Sequence, residues 1–296
     1  MTCAEVDSQY WTPHLSTTYA SPMTADHLPH TVAFVGDIHG KPAAFEHTLA
    51  TALNRGVTSI VQVGDFWIYD EPKEPAKLER IITRVCRDAS TDLDLVNYRF
   101  IDGNHENFDY LTPDATEPVV ISEHVTYMSR GTRDRIAGAE LLFCGGASST
   151  DRECRTEGHS WWPAENITGA QLDRALTTAD AGPVDVLVSH ETTTAAFDEL
   201  CSLGGHVRDK LGDPPGEVNR AKLDQLVAAV GPRALVHGHH HTGHASIHDG
   251  VRVVSLALET RVGSVAILDT DSWTWRVASG RRDTSDDTIL WNGASA

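Results

Sequence analysis

Five apolar runs in this chain stop at the same kind of punctuation, a short step that carries aspartate, asparagine or histidine and, in four of the five, glycine. Thr31–Val35 stops at Gly36-Asp37-Ile38-His39-Gly40, Val57–Val63 at Gly64-Asp65, and Asn97–Ile101 at Gly103-Asn104-His105-Glu106. Val184–Val188 stops at Ser189-His190, and Ala234–Val236 at His237-Gly238-His239-His240-His241. Runs of this length, with little polar alternation, read as strands buried on both faces. Buried strands in an open α/β sheet deliver their carboxyl ends to one crevice, where ligands collect. The pattern therefore constrains the fold and the place of any chemistry together.

The segments between the runs fill in the architecture. Phe45, Leu49 and Leu53 recur at helical spacing, and Arg55-Gly56 closes that helix as a glycine C-cap. A charged helix is expected over about Glu74 to Ala89, and others near Gln171–Ala179 and Val218–Val230. Val125–Met128, Arg133–Ile136 and Glu140–Cys144 read as consecutive antiparallel strands leading to Gly145-Gly146. Further strands are expected at Ser246–Ile247, Val251–Leu256 and Val262–Leu268. Helices alternating with buried strands, then antiparallel runs, give an α/β domain of two packed mixed sheets flanked by helices. The domain is expected over residues 31–272, after an N-terminal extension at 1–30 and before a polar, peripheral segment at 273–296.

Composition narrows the partners. Lys and Arg total 24 against 42 Asp and Glu, a formal net charge of -18. Nucleic-acid backbones and anionic lipid surfaces are bound through Lys and Arg, so both are poor partners for such a surface. No run is long enough to span a bilayer. The five cysteines form no CxxC pair, which argues against a disulfide framework or a cysteine zinc site and for a reducing compartment. No secretory signal is legible near the start, so a cytoplasmic location is expected.

The strand ends carry metal-ligand chemistry. In Asp37-Ile38-His39, side chains two apart can turn to one ion as strand gives way to loop. Asp65 can bridge two ions through its two oxygens, Asn104 offers a neutral carbonyl oxygen, and the histidines offer ring nitrogens. Mixed nitrogen and oxygen donors suit manganese, iron or zinc better than calcium, with manganese the leading candidate. Alone, a Gly-Asp step is a turn and a histidine at a strand end is a surface residue. Five such steps, each at the end of an expected strand, overturn those readings.

These steps resemble, in order, the motif series of the calcineurin-like metallophosphoesterase superfamily: D-x-H, G-D, G-N-H-[DE], a lone His after a strand, and G-H-x-H. The resemblance spans about residues 31 to 270. It implies an αββα sandwich with two divalent ions, one on Asp37, His39 and His241, the other on Asn104, His190 and His239, with Asp65 bridging. It also implies hydrolysis of phosphomonoesters or phosphodiesters by a metal-bridging hydroxide, with His105 as candidate general acid and a small or medium substrate. A nuclease of the same superfamily and a non-catalytic scaffold of the same fold are the alternatives. The charge of -18 speaks against the first, and the presence of all seven ligands against the second.

The wording of the first and third motifs is close to the protein serine/threonine phosphatase and diadenosine tetraphosphatase branch. That branch continues its second motif as G-D-x-V-D-R-G, whereas this chain reads Gly64-Asp65-Phe66-Trp67-Ile68-Tyr69-Asp70 and lacks the Asp and the Arg. An insert from Gly145 to Arg155, followed by Trp161-Trp162-Pro163, resembles a segment of actinobacterial and phage-type members. Arg152 and Arg155 of this insert are the candidate phosphate grip, because a guanidinium fork donates two hydrogen bonds at once. Trp161-Trp162 is expected to anchor packing, Glu106 to help orient the site, and His237 and His240 to be neighbours of the ligands.

Overall fold

The computed structural model describes residues 30–66, 74–204, 207, 212–279 and 286–292. The expected extension up to residue 29, and Trp67 to Asp70, lie outside them. Strand β1 (Thr31–Val35) sets the pattern: all five residues are buried, and alternate side chains enter different cores. Ala33 and Val35 face helices α1 (Pro42–Leu53) and α2 (Glu74–Ala89), packing in one cluster with Phe45, Leu49 and Ile82. Val32 and Phe34 point the other way, into a second core with Phe143, Val188, Val236 and Trp275. This period-two partition of a fully apolar strand is what the run of residues demands.

Among the described residues the first sheet has eight strands and the second six. Parallel β1, β2 (Ser59–Gln62), β3 (Asn97–Phe100) and β5 (Val125–Tyr127) form the middle of the first, with β4 (Val119–Val120) at one edge. In the second, strands β6 (Arg133–Ile136), β7 (Ala139–Cys144), β8 (Val186–Ser189) and β9 (Ala234–His237) lie side by side, followed by β11 (Val251–Ser255) and the edge strand β10 (His244–His248). β7, β8, β9 and β11 are parallel. The sheets face each other across the Phe34–Phe143–Trp275 core. On the outer face of the second sheet, Leu142, Leu187 and Leu235 pack on Leu172 of α3 (Gly169–Ala179) and Leu223 and Leu226 of α5 (Pro214–Val230). Four layers result, helix, sheet, sheet and helix, in agreement with the expected sandwich. A short helix α4 (Thr194–Leu203), not anticipated from periodicity, follows β8.

The segment after residue 272 is not peripheral where it is described. Beside β1 the sheet continues through β12 (Val265–Asp269), β13 (Thr274–Val277) and β14 (Thr288–Trp291), all antiparallel. Trp275 is wholly buried and stacks on Phe34, with ring centroids 5.4 Å apart. The polar residues around it reflect an edge region with one face towards water, a pattern a composition reading takes for a tail. No helix among the described residues is long and apolar enough to cross a membrane.

Candidate metal centre

The loops after β1, β2, β3, β8 and β9 converge beyond the carboxyl ends of the strands. The first two are laced by backbone: Ile38 and His39 N–H groups donate to Asp65 O at 3.1 and 2.8 Å, and Gly40 N–H to Phe66 O. Gln62, fully buried at the end of β2, donates through Nε2 to the carbonyls of Gly36 and Gly64 and accepts from Gly64 N–H. Its side chain thus ties two strand ends together, a role its place in an apolar run only hinted at. Gly64 has φ +103, and a Cβ there would collide with the His190 ring; a Cβ on Gly103 would collide with Asp65 and His190. Both glycines exist to let ligand-bearing loops approach each other.

Four of the seven expected ligands sit at positive φ without being glycine: His39 at 50°, Asp65 at 54°, His239 at 63° and His241 at 56°. Each such conformation costs about 1–3 kcal/mol, and clusters of them mark functional sites. Here the strain turns side chains inward. His39 Nε2 and His241 Nε2 approach to 3.1 Å, His241 Nε2 lies 3.1 Å from Asp37 Oδ2, and His39 Nε2 is 3.9 Å from Asp65 Oδ2. One ligand atom from each of Asp37, His39, Asp65 and His241 falls within 4.8 Å of all the others. That is the expected first ligand set plus the bridging carboxylate.

The second set borders it. His190, fully buried, places Nδ1 2.7 Å from the Val63 carbonyl. A carbonyl can only accept, so Nδ1 carries a proton and Nε2, 3.3 Å from Asp65 Oδ2, is the ring atom turned into the site. The His190 and His239 rings lie 5.1 Å apart by centroid. Asn104 is buried with its Nδ2 donating to Ser149 Oγ at 3.1 Å, while its Oδ1 finds no hydrogen-bond donor among the described residues. A buried carbonyl oxygen without a partner is costly in a folded protein, and a cation supplies the missing one. The donor set fits two divalent ions.

Electrostatics agree with this. Burial opposes ionisation of Asp37 and Asp65, yet facing imidazoles hold both carboxyls below the usual range, His190 foremost in each case and Asp65 most strongly. Two buried carboxylates among four histidines form a pocket that seeks positive charge. Glu191 also fills a place that sequence reasoning missed. It is fully buried beside α5, its Oε1 2.7 Å from His240 Nε2 and its Oε2 3.3 Å from Arg220 Nη1 and 3.9 Å from His239 Nε2. Burial would raise its pKa, but His240 and Arg220 pull it down to about 2. Its position directly after His190 was the available signal.

His105 stands at the rim with its N–H donating to Asp65 Oδ1 at 2.9 Å. Burial, with His39 and Arg155 adding to it, pushes its imidazole down to about 4 against the pull of Asp65. Its Nε2 lies 3.0 Å from Arg155 Nη2; a guanidinium only donates, so Nε2 accepts and the ring is neutral. Arg155 is held by Asp151, with Nε 2.8 Å from Oδ1, and reaches Ser160 O at 3.4 Å. The two arginines of the insert therefore part company. Arg155 leaves the single turn Arg152–Cys154 in extended conformation and enters the site, whereas Arg152 is exposed and makes none of the site's described contacts. Trp162 is buried, as a packing anchor should be, and Glu106 accepts Gly103 N–H at 2.7 Å, shaping the loop that carries Asn104.

No curated protein matches the chain. Among solved structures, a likeness exists to TT1561 of Thermus thermophilus, with 13% identity, 85% of this chain and 99% of that chain covered, and a TM-score of 0.50. Another is to GAP50, described as the anchor in the inner membrane complex of Plasmodium, with 11% identity, 90% and 89% coverage, and a TM-score of 0.50. At such identities these show the shared fold. The family model described as calcineurin-like phosphoesterase matches residues 30–243, which include all five ligand-bearing strand ends. The chain belongs to the calcineurin-like phosphoesterase family.

Proposed function

We propose that this protein hydrolyses phosphoesters on a small or medium substrate, using two divalent ions, manganese foremost. The observation that carries the reading is the convergence of Asp37, His39, Asp65 and His241 beside a buried Asn104 Oδ1 that has no other partner among the described residues. Ions held there would supply Lewis acidity to phosphate oxygens and make a water a nucleophile near neutral pH. The chain's own contribution is placement. Asp65 faces both ligand sets, and Val63 O fixes the His190 tautomer so that Nε2 is the ligand atom. Arg155, with Nε committed to Asp151, offers its Nη groups to the non-bridging phosphate oxygens, replacing the arginine that the second motif lacks. Once Nη2 moves from His105 to phosphate, the lone pair on His105 Nε2 is released to take up a proton and pass it to the leaving oxygen.

The fold alone does not decide activity, since GAP50 is described as an anchor. What supports catalysis here is the full ligand set, together with an arginine and a histidine aimed over it. A surface of charge -18 supports a small substrate over a polynucleotide. Four described cysteines, all free thiols, accord with the proposed reducing, cytoplasmic setting. The test is a panel with Mn²⁺: p-nitrophenyl phosphate, bis-p-nitrophenyl phosphate and cyclic nucleotides. Chelator-sensitive turnover of at least one supports the reading. Absence of turnover on all of them, in protein shown to hold two ions per chain, would favour the scaffold.

A further inference from the structure

Asn104 offers two chemically different ends to its surroundings, and only one of them can meet a cation. An amide that turned over would present Nδ2, a donor, to the ion and lose a ligand. Among the described residues no carboxylate is hydrogen-bonded to Asn104 to settle the choice directly. The neighbour of its Nδ2 is a serine hydroxyl, which both donates and accepts and therefore sets no direction by itself.

The direction comes from the insert. Ser149 Oγ donates to Glu165 Oε2 at 2.6 Å, and Ser149 N–H donates to Glu165 Oε1 at 2.7 Å. With both carboxylate oxygens accepting, the serine proton is spent on Glu165, and its oxygen can only accept from Asn104 Nδ2. Asn104, Ser149 and Glu165 are all buried, so water does not scramble the chain of bonds. Glu165 is itself pinned. The guanidinium of Arg130, wholly buried, donates to the carbonyls of Ala164, Glu165 and Asn166 at 2.8–2.9 Å while paired with Asp102 at 2.6 Å. Tyr127 Oη and Gln171 Oε1 complete that cluster.

We infer that Glu165, acting through Ser149, is a positioning residue that fixes the polarity of the Asn104 amide so that Oδ1 meets the second ion. This deepens the proposed function and rests on it. A glutamine at 165 makes the consequence sharp. Its Oε1 still accepts Ser149 N–H, but its Nε2 now donates to Ser149 Oγ. The serine proton is then left without its carboxylate acceptor and competes for Asn104 Oδ1, which favours the turned amide with Nδ2 towards the metal. An isosteric change would thereby remove a ligand without touching it.

The test uses the full-length chain, stripped of metal and titrated with Mn²⁺. Calorimetry reads the two binding steps, and electron paramagnetic resonance reads the spin-coupled pair. Glu165→Gln is expected to keep the first step and weaken the second roughly 10–100-fold, with loss of the coupled spectrum, as for other groups that orient metal ligands. Ser149→Ala keeps the Glu165 charge and is expected to show the same split; it also serves if Glu165→Gln does not fold. A second step of wild-type affinity in Ser149→Ala would overturn the inference, because then only the charge at 165, or nothing, matters. Equal weakening of both steps would overturn it too, by showing general loosening. If the wild-type chain takes up no second ion, the two-metal reading itself fails, an outcome distinct from a normal wild type with insensitive variants.

Discussion

His105 and Arg155 meet at 3.0 Å, and their contact settles what each can do before a substrate arrives. The guanidinium occupies the lone pair on which the imidazole would carry a proton, so the pair is a resting arrangement. Removing either member should have distinguishable effects. His105→Ala is expected to leave two ions bound and to slow turnover about 10²–10⁴-fold, the usual contribution of an acid–base group. The loss should be smaller with nitrophenolate as leaving group than with an alkoxide, since a good leaving group needs no proton. Equal losses, read from steady-state rates on the two substrate types, would make His105 a positioning group. Arg155→Ala is expected to raise KM with metal content unchanged, and Arg155→Lys to recover only part, because a point charge cannot form the fork. Wild-type kinetics in Arg155→Ala would take the insert out of the substrate site. Arg152, exposed and apart from the site, serves as the control whose replacement leaves KM unchanged.

At the scale of elements, the segment after β7, which carries Arg155, is held from behind by a buried ion pair. Arg130 and Asp102 are both wholly buried, 2.6 Å apart, and Arg130 spends its remaining donors on the carbonyls of Ala164, Glu165 and Asn166 and on Gln171 Oε1. Breaking one side of such a pair strands a charge. Arg130→Met is therefore expected to cost about 3–5 kcal/mol. Urea denaturation should show a lower midpoint at nearly unchanged slope, and a midpoint within error of wild type would show that Asp102 is satisfied elsewhere. The candidate ligands after β1, β2, β3, β8 and β9 were legible in sequence because each lies in a local step with its own punctuation. Arg130, Ser149 and Glu165 were not. Their relation is a chain of side-chain bonds between residues 16 to 36 positions apart, and neither spacing nor composition announces it. Strands β13 and β14 were missed for another reason: in β13 the buried Trp275 and Val277 alternate with threonine and arginine over only four residues, too short a pattern to stand out from a polar tail.

Across the whole molecule, charge and burial act together. The surplus of acidic groups suits a small, cation-seeking cleft, and the buried carboxylates of that cleft shape its response to acid. Glu191 has its pKa at about 2 in the fold, below the ordinary value of 4.5. A group lowered on folding stabilises the native state above its unfolded pKa and loses that contribution as pH falls towards the folded one. The shift corresponds to about 3 kcal/mol, present above about pH 5 and fading between about pH 4.5 and 2. In the metal-free chain, the stability gap between wild type and Glu191→Gln should therefore narrow on acidification through that window. A gap constant from about pH 6 to about pH 3 would assign Glu191 a packing role only. The fold class was readable from alternating helices and buried strands. Glu191 was hidden because a charged residue inside a core has no periodic signature.

On the proposed function, two ions share this cleft and turnover needs both. Titration of the metal-free chain with Mn²⁺, following turnover of whichever panel substrate is hydrolysed, tests it most directly. Little activity is expected up to about one equivalent, then a rise that saturates near two, consistent with a two-metal clamp. Asp65→Asn, with the bridging carboxylate gone, should stay inactive throughout the titration. Full activity at one equivalent, or an Asp65→Asn variant that matches wild type, would contradict it.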